Sequence, residues 1–507
     1  MQGDVHTMSV KTLLATFDIQ APDIEITDLV LDSREVAIHK AFVAVKGHDL
    51  DGRDFIPQAI SLGAKVILAE SCDELCHGEV EMREQSIIIH FYQLNQKLSA
   101  LAEQFYHRPA EKLDLVAVTG TNGKTSTVQL ITQLRHLLGD VCASIGTLGS
   151  GVYQPDSILS SSKNTTPDAI QMQRLIAQFQ QLGATQVAIE ASSHALVQGR
   201  ISHVHCKIAV FTNLTRDHLD YHGSMSEYAA AKRLLLGQPG LQFLVVNIDD
   251  PESDAWLQQV AEDVEVVVCS TSLEIVVNAL SSKYCVATSI NYSSNGCAIS
   301  IDSSWGKADI HCALLGRFNV ANLLAALSVQ LLNGFSLQQL APLTEQLTPV
   351  DGRMEIFSNS NGANIVVDFA HTPDALEQTL LACRNHCHGR LVCIFGCGGD
   401  RDQGKRSLMG SIAEQHADSI IVTNDNSRSE DPEQICKQIL SGCRAPEAIQ
   451  IELDRKRAIQ LALSQTQHND LILVAGKGHE NTQVIGQKSL EYNERAYVKN
   501  LLKGNGQ

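Results

Sequence analysis

Val116-Ala117-Val118-Thr119-Gly120-Thr121-Asn122-Gly123-Lys124-Thr125-Ser126 reads as a buried strand that feeds a glycine-rich turn and then a helix. The glycines let the backbone approach an anion. The N–H groups at the helix start face it, Lys124 offers a cation, and the Thr125 hydroxyl is a ligand suited to Mg²⁺. A tight strand-to-helix turn alone would explain the glycines but not the Lys-Thr pair beside them. The common phosphate-loop pattern has a glycine five residues before Gly123, and that position is Val118. The loop is therefore the shorter G-x-x-G-K-T form.

Outward from this loop, apolar runs at 187–189, 208–211 and 244–247 alternate with amphipathic segments, the pattern of a mostly parallel sheet wrapped by helices. Upstream, short apolar runs between 28 and 70 and a helical pattern at 94–106 predict a small α/β unit, closed by the helix-breaking His107-Arg108-Pro109. Downstream, after a helical stretch at 319–332, a second linker is expected near 348–352. Strands at 365–368, 391–395, 420–423 and 471–474 follow it. The expectation is an α/β chain of three domains, 1–108, 109–348 and 349–507, in keeping with a length of 507 residues.

The formal charge is −18, from 39 Lys+Arg against 57 Asp+Glu, which disfavours nonspecific contact with nucleic acid or an anionic membrane. No apolar run is long enough for a membrane span, and Met1 to Gln20 does not read as a signal peptide, so a soluble, cytoplasmic, monomeric protein is expected. The 14 cysteines are scattered through apolar runs such as Leu391-Val392-Cys393-Ile394, which suits buried thiols. Cys393, Cys397 and the histidines at 386 and 388 lie near one another without paired C-x-x-C spacing, so no structural zinc site is expected.

Two further segments end predicted strands, where ligands gather in a parallel sheet. One carries Glu190 and the other Thr212-Asn213-Leu214-Thr215-Arg216-Asp217-His218-Leu219-Asp220-Tyr221-His222-Gly223. With the short phosphate loop, this run resembles the Mur ligase and folylpolyglutamate synthetase superfamily, whose pattern is T-N-L-x-x-D-H-L-D-Y-H-G. The resemblance implies an ATP-binding loop of Gly120, Thr121, Asn122, Gly123, Lys124, Thr125 and Ser126, and Mg²⁺ held by Thr125, Glu190 and His218. Lys232, in Tyr228-Ala229-Ala230-Ala231-Lys232, matches a lysine that takes up CO₂ as a carbamate (N6-carboxylysine) and serves a second Mg²⁺. Lys124, Lys232, Glu190 and His218 are the implied catalytic set. Asn247, Asp249-Asp250, Asn319, Asn322 and Arg353 continue the nucleotide side, although Asn319 and Asn322 also suit helix capping. Residues 368–374 resemble D-Y-A-H-T-P-D, with Phe369 in place of tyrosine.

The implied chemistry is ATP-dependent amide-bond formation through an acyl phosphate, by a central P-loop-type ATPase domain between a small uridine-nucleotide domain and a Rossmann-like C-terminal domain. By resemblance, Leu31, Ser33, His48, Asp49, Leu50, Asn164, Thr165, Thr166, Ser192, Gln198 and Arg200 hold a UDP-muramoyl dipeptide, Asp49 and Leu50 departing from the commoner residues. Arg401, Asp425, Asn426, Ser427, Arg428, Gly476 and Glu480 match positions for meso-diaminopimelate. Ser427 stands where the family has proline, a change expected to loosen that loop. Arg401 and Arg428 suit the distal carboxylate of that amino acid and Glu480 its ammonium, a combination lysine lacks. A lysine-adding ligase, a folylpolyglutamate synthetase-like enzyme and an ATP-binding switch or scaffold remain alternatives.

Overall fold

The computed structural model describes residues 7–47, 50–154, 159–160, 164–272, 283–358 and 364–503. His48 and Asp49, expected near the uridine nucleotide, lie outside the described residues. Among those described, no helix is long and apolar enough to cross a membrane.

Strand Asp114–Thr119 sits inside a ten-stranded sheet. Its even-numbered Val116 and Val118 join a core with helices Lys124–Leu137 and Arg317–Leu332. Its odd-numbered Leu115 and Ala117 join a second core on the opposite face with Phe211 and Trp256. A strand buried on both faces needs apolar residues at every position, which is why this one reads as an unbroken run rather than an alternating one. Its parallel neighbours are Gln186–Glu190 and Ile208–Phe211, with Glu190 in register with Val118 and Phe211 with Thr119. After Asp114–Thr119 the chain builds strands on one flank, Cys142–Gly146 and Gln186–Glu190, and then crosses to the other. The crevice at this reversal opens above the carboxyl ends of the strands.

Helix Arg317–Leu332 starts two residues before the apolar pattern suggests, because Gly316, at φ +85°, lets the chain turn into it. Leu323, Leu324, Leu327 and Val329 are all buried, so the helix is apolar on most of its circumference.

The N-terminal sheet has five strands in the order Asp28–Val30, Lys40–Ala44, Val66–Ser71, Ser86–Tyr92, Val80–Arg83, with only the last antiparallel. Helix Leu94–Phe105 follows it, and His107 and Arg108, both left-handed, end the unit before Pro109. Arg174 of the central unit reaches back to the Leu29 carbonyl at 2.6 Å and to Asp28 at 3.1 Å. The C-terminal sheet has six strands in the order Glu355–Phe357, Asn364–Asp368, Leu471–Ala475, Leu391–Phe395, Ser419–Val422, Gln450–Ile451, all parallel except the first. The molecule is thus α/β throughout, with three mostly parallel sheets. All 14 cysteines are free thiols.

Candidate active site

The phosphate loop is held by the end of its neighbouring strand. Asn213 accepts from the Thr121 N–H through its carbonyl and from the Asn122 N–H through its side chain, both at 2.9 Å, and the Thr212 hydroxyl donates to the Asn122 carbonyl at 2.6 Å. Gly120 must be glycine here: its φ is +148°, and a Cβ would lie 1.9 Å from the Thr212 hydroxyl. Gly123, at φ +84°, caps helix Lys124–Leu137. A Cβ there would lie 2.6 Å from Asn322 Oδ1. The Lys124 ammonium curls back onto the Gly120 and Thr121 carbonyls, each at 2.9 Å. Burial pushes its pKa down, against the opposing pull of Glu190 and Asp217.

Glu190, at the end of its strand, is fixed from two sides. Thr125 donates its hydroxyl to Oε2 at 3.0 Å, and Thr147 donates its N–H to Oε1 at 2.8 Å and its hydroxyl to Oε2 at 3.2 Å. Gly146 makes room for the carboxylate, since a Cβ would lie 2.2 Å from Oε1. Gly146 and Thr147 went unnoticed in the sequence. The available signal was a Gly-Thr pair directly after the short run Cys142-Ala143-Ser144-Ile145. His218 lies on the adjoining loop at φ +53°, with its ring 3.4 Å from Asp217 and edge-on to His194 at 4.9 Å. The structure therefore brings Thr125 and Glu190 together, whereas His218 faces Asp217, His194 and Tyr228 and, among the described residues, makes no hydrogen bond to Thr125 or Glu190.

Lys232 is on helix Met225–Arg233 and is buried. Its Nζ donates to the Gly120 carbonyl at 2.7 Å, the oxygen that Lys124 also uses, and stands 4.4 Å over the Tyr228 ring. Burial, with the Lys124 charge behind it, drives its pKa well below the ordinary lysine value, which favours the neutral amine.

A cavity separates this loop from the C-terminal unit, lined on the far side by Arg353, Asp368, Phe369, Ala370, His371 and Thr372. The Arg353 guanidinium stacks over the Phe369 ring at 4.5 Å, and its buried Nε has no hydrogen-bond partner among the described residues. A buried cation with an unpartnered donor, facing a glycine-rich loop, suits a polyphosphate. The hydroxyl and carboxylate of Thr125 and Glu190, side by side, suit a small hard cation accompanying it. Phe369 needs no hydroxyl for this, because its ring serves as the platform for Arg353. Asn319 and Asn322 combine capping with support of the loop. Asn319 donates to the Leu315 carbonyl at 2.9 Å, and Asn322 accepts from Thr127 at 3.2 Å. Asp249 and Asp250 hold neighbouring strand ends: Asp249 accepts from Thr271 N–H and Asp250 from Leu214 N–H, both at 2.8 Å. Asn247 likewise donates to the Thr212 carbonyl at 2.9 Å. Asn122 reaches Asp374 of the C-terminal unit at 3.3 Å.

Family models cover each of the three units. One described as the Mur ligase middle domain matches residues 118–330, a Mur ligase glutamate ligase domain matches 352–478, and a Mur ligase family catalytic domain matches 25–106. A solved structure of UDP-N-acetylmuramoyl-L-alanyl-D-glutamate–2,6-diaminopimelate ligase is 32% identical over 99% of this chain and 100% of its own, with a TM-score of 0.70. The chain belongs to the Mur ligase family. Two more distant structures share its fold at 17% identity. UDP-N-acetylmuramoylalanyl-D-glutamyl-2,6-diaminopimelate–D-alanyl-D-alanyl ligase from Acinetobacter baumannii has a TM-score of 0.65 over 94% of this chain and 96% of its own. Folylpolyglutamate synthase from Mycobacterium tuberculosis has a TM-score of 0.60 over 75% of this chain and 92% of its own. As a Mur ligase, the protein is an ATP-dependent, ADP-forming ligase.

In this Mur ligase the residues expected around the muramoyl dipeptide cluster against Glu190. The Thr165 hydroxyl lies 3.1 Å from that of Thr147, and Thr166 donates to the Glu190 carbonyl at 2.6 Å while its oxygen sits 3.1 Å from the Ser192 hydroxyl. Arg200 donates to the Thr166 carbonyl at 2.7 Å and to Gln198 at 2.6 Å. Asn164 is exposed at the edge of this cluster. Leu31, Ser33 and Leu50 belong to the N-terminal unit, where the Ser33 hydroxyl donates to Gln58 at 2.9 Å and Leu50 is 69% exposed.

On the C-terminal unit the Arg428 guanidinium donates to the Gly399 carbonyl at 2.7 Å, and the residue is left-handed at φ +49°. The exposed Arg401 flanks Gly398 with it: a Cβ on that glycine would lie 3.0 Å from an Arg428 nitrogen and 3.7 Å from Arg401 Cγ. Asn426 donates to Glu480 at 3.0 Å. Gly476, at φ +118°, leaves room for the Asp425 carboxylate 2.8 Å from where its Cβ would stand. Ser427 is fully buried and its hydroxyl has no partner among the described residues. Its carbonyl accepts from Glu430 N–H at 3.0 Å and closes over Gly399, so packing holds the loop that the proline's absence was expected to loosen.

Proposed function

We propose that this enzyme joins meso-2,6-diaminopimelate to the D-glutamate carboxylate of UDP-N-acetylmuramoyl-L-alanyl-D-glutamate, a step in peptidoglycan precursor synthesis carried out by a cytoplasmic monomer. The substrate carboxylate attacks the γ-phosphorus of ATP and ADP leaves, giving an acyl phosphate. The amine of diaminopimelate then attacks the acyl carbon, loses a proton and expels inorganic phosphate as the amide forms. Lys124 and Arg353 stabilise charge on the transferred phosphoryl group from opposite walls of the cavity. Thr165, Thr166, Ser192, Gln198 and Arg200 orient the dipeptide carboxylate beside the phosphate loop. Mg²⁺, held by Thr125, Glu190 and His218, supplies further neutralisation of the triphosphate when bound. The neutral amine of Lys232 takes up CO₂ and releases one proton, so that the side chain becomes an anionic carbamate close to the Lys124 ammonium.

The observation that carries the choice of amino acid is the pairing of Arg401 and Arg428 around Gly398 with Glu480 on the facing turn, a cation–anion arrangement for a distal carboxylate and ammonium. Replacing Arg428→Ala is expected to raise KM for meso-diaminopimelate on the order of a hundredfold. It leaves the weak use of L-lysine, which has no distal carboxylate, unchanged. Equal losses with both amino acids would count against the assignment.

A further inference from the structure

Lys477 is among the largest fully buried side chains in the protein, yet it carries an ammonium group. Its Nζ donates to Glu480 Oε2 at 2.7 Å and to Asn426 Oδ1 at 3.2 Å. Asn426 closes the triangle by donating to the same Glu480 oxygen at 3.0 Å, and its own Oδ1 also accepts from Val484 N–H at 2.9 Å. The Glu480 N–H returns to the Lys477 carbonyl at 2.9 Å. Both side-chain donors to Glu480 converge on Oε2, while Oε1 accepts no hydrogen bond from a described residue and the side chain is 34% exposed.

An ammonium in an apolar interior costs far more than a methylene chain of the same volume unless its partners require it there. In this loop the partners are the two residues that face the amino-acid pocket. We infer that Lys477 is a positioning residue for the incoming amino acid: it clamps one oxygen of Glu480, fixes the Asn426 amide, and leaves Glu480 Oε1 as the single acceptor offered to a ligand ammonium. This inference rests on the proposed role of Glu480. It adds that the acceptor's direction is set from beneath by an internal cation that never touches substrate. The Arg428 carbonyl accepts from Gly486 N–H at 2.7 Å and the Arg428 N–H donates to the Val484 carbonyl at 3.1 Å, so the strand that Asn426 grips also carries the arginine of the pocket.

The test is a double-mutant cycle between Lys477 and Glu480, read as steady-state kinetics for each substrate of the full-length enzyme. K477M is expected to raise KM for meso-diaminopimelate about tenfold or more, change kcat less than about threefold, and leave KM for ATP and for the UDP-linked dipeptide within about twofold. In an E480Q background the same substitution is expected to add less than about twofold. Should K477M fail to fold, K477Q, which keeps a neutral N–H donor, is measured by the same criteria. An unchanged KM for diaminopimelate, equal losses for all three substrates, or a full additive loss in the E480Q background would overturn the inference. Absence of diaminopimelate-dependent turnover in the unmodified enzyme would instead sink the proposed function on which it stands.

Discussion

Glu190 shows how a single side chain becomes functional through what surrounds it. Its position at the end of an apolar strand is visible in the sequence, because strand ends in parallel sheets face the ligand crevice. What fixes its carboxylate, the Thr147 N–H and the space left by Gly146, comes from a strand some forty residues away. That pairing is nonlocal, and a Gly-Thr pair does not by itself say which carboxylate it meets. Gly146→Ala is therefore expected to displace the carboxylate and lower kcat on the order of a hundredfold, with little change in KM for the amino acid, as measured by phosphate release. A variant with normal kcat would mean that Glu190 tolerates the shift. Phe369 makes the complementary point. Its replacement of tyrosine reads as a loss from sequence, whereas the ring stacks beneath Arg353. Phe369→Ala is expected to cost about 1 kcal/mol, roughly a fivefold rise in KM for ATP, while Phe369→Tyr stays near the parent value. Equal KM for all three would show that Arg353 does not rely on the ring.

Helices and strands around the site were legible to the extent that burial is periodic. Asp114–Thr119 and its parallel neighbours stand out as short continuous apolar runs, and Lys124–Leu137 as the helix that must follow a phosphate loop. The fully buried Arg406 could not be foreseen, because a charged residue in helix Gly404–His416 reads as solvated until its partner is known. That partner is Glu430, just before helix Pro432–Leu440, which also accepts from the Asp400 N–H at 2.6 Å. The Arg406 hydrogen bond, aided by the Asp400 N–H, holds the Glu430 pKa down to about 2. A carboxylate with a depressed folded pKa stabilises the fold above its ordinary titration range, and that contribution fades as pH falls toward about 2. Glu430→Gln should thus lower resistance to urea at neutral pH, with the gap to the parent narrowing as pH falls below about 4.5 and closing only near pH 2. A gap of the same size at both pH values would show that the pair contributes nothing through charge.

For the molecule as a whole, the division into three mostly parallel sheets follows from where apolar runs stop and where His107, Arg108 and Gly352 turn the chain. Less legible was how the units meet. Gly352 leaves no room for a Cβ against the Gly478 backbone at 2.2 Å, and Arg495, in the last helix, ties back to Asp351 and Glu355. These contacts join the turn carrying Arg353 to the turn carrying Lys477 and Glu480. The cavity beside the phosphate loop and the proposed amino-acid pocket are thus joined through a few residues that are hundreds of positions apart from the phosphate loop in sequence. The decisive measurement is ADP formation with ATP and UDP-N-acetylmuramoyl-L-alanyl-D-glutamate, comparing meso-diaminopimelate with L-lysine, with the product weighed by mass spectrometry. Turnover that depends on diaminopimelate, with a product heavier by one diaminopimelate residue, is the predicted result. Preference for lysine, or ADP formation indifferent to either amino acid, would contradict it.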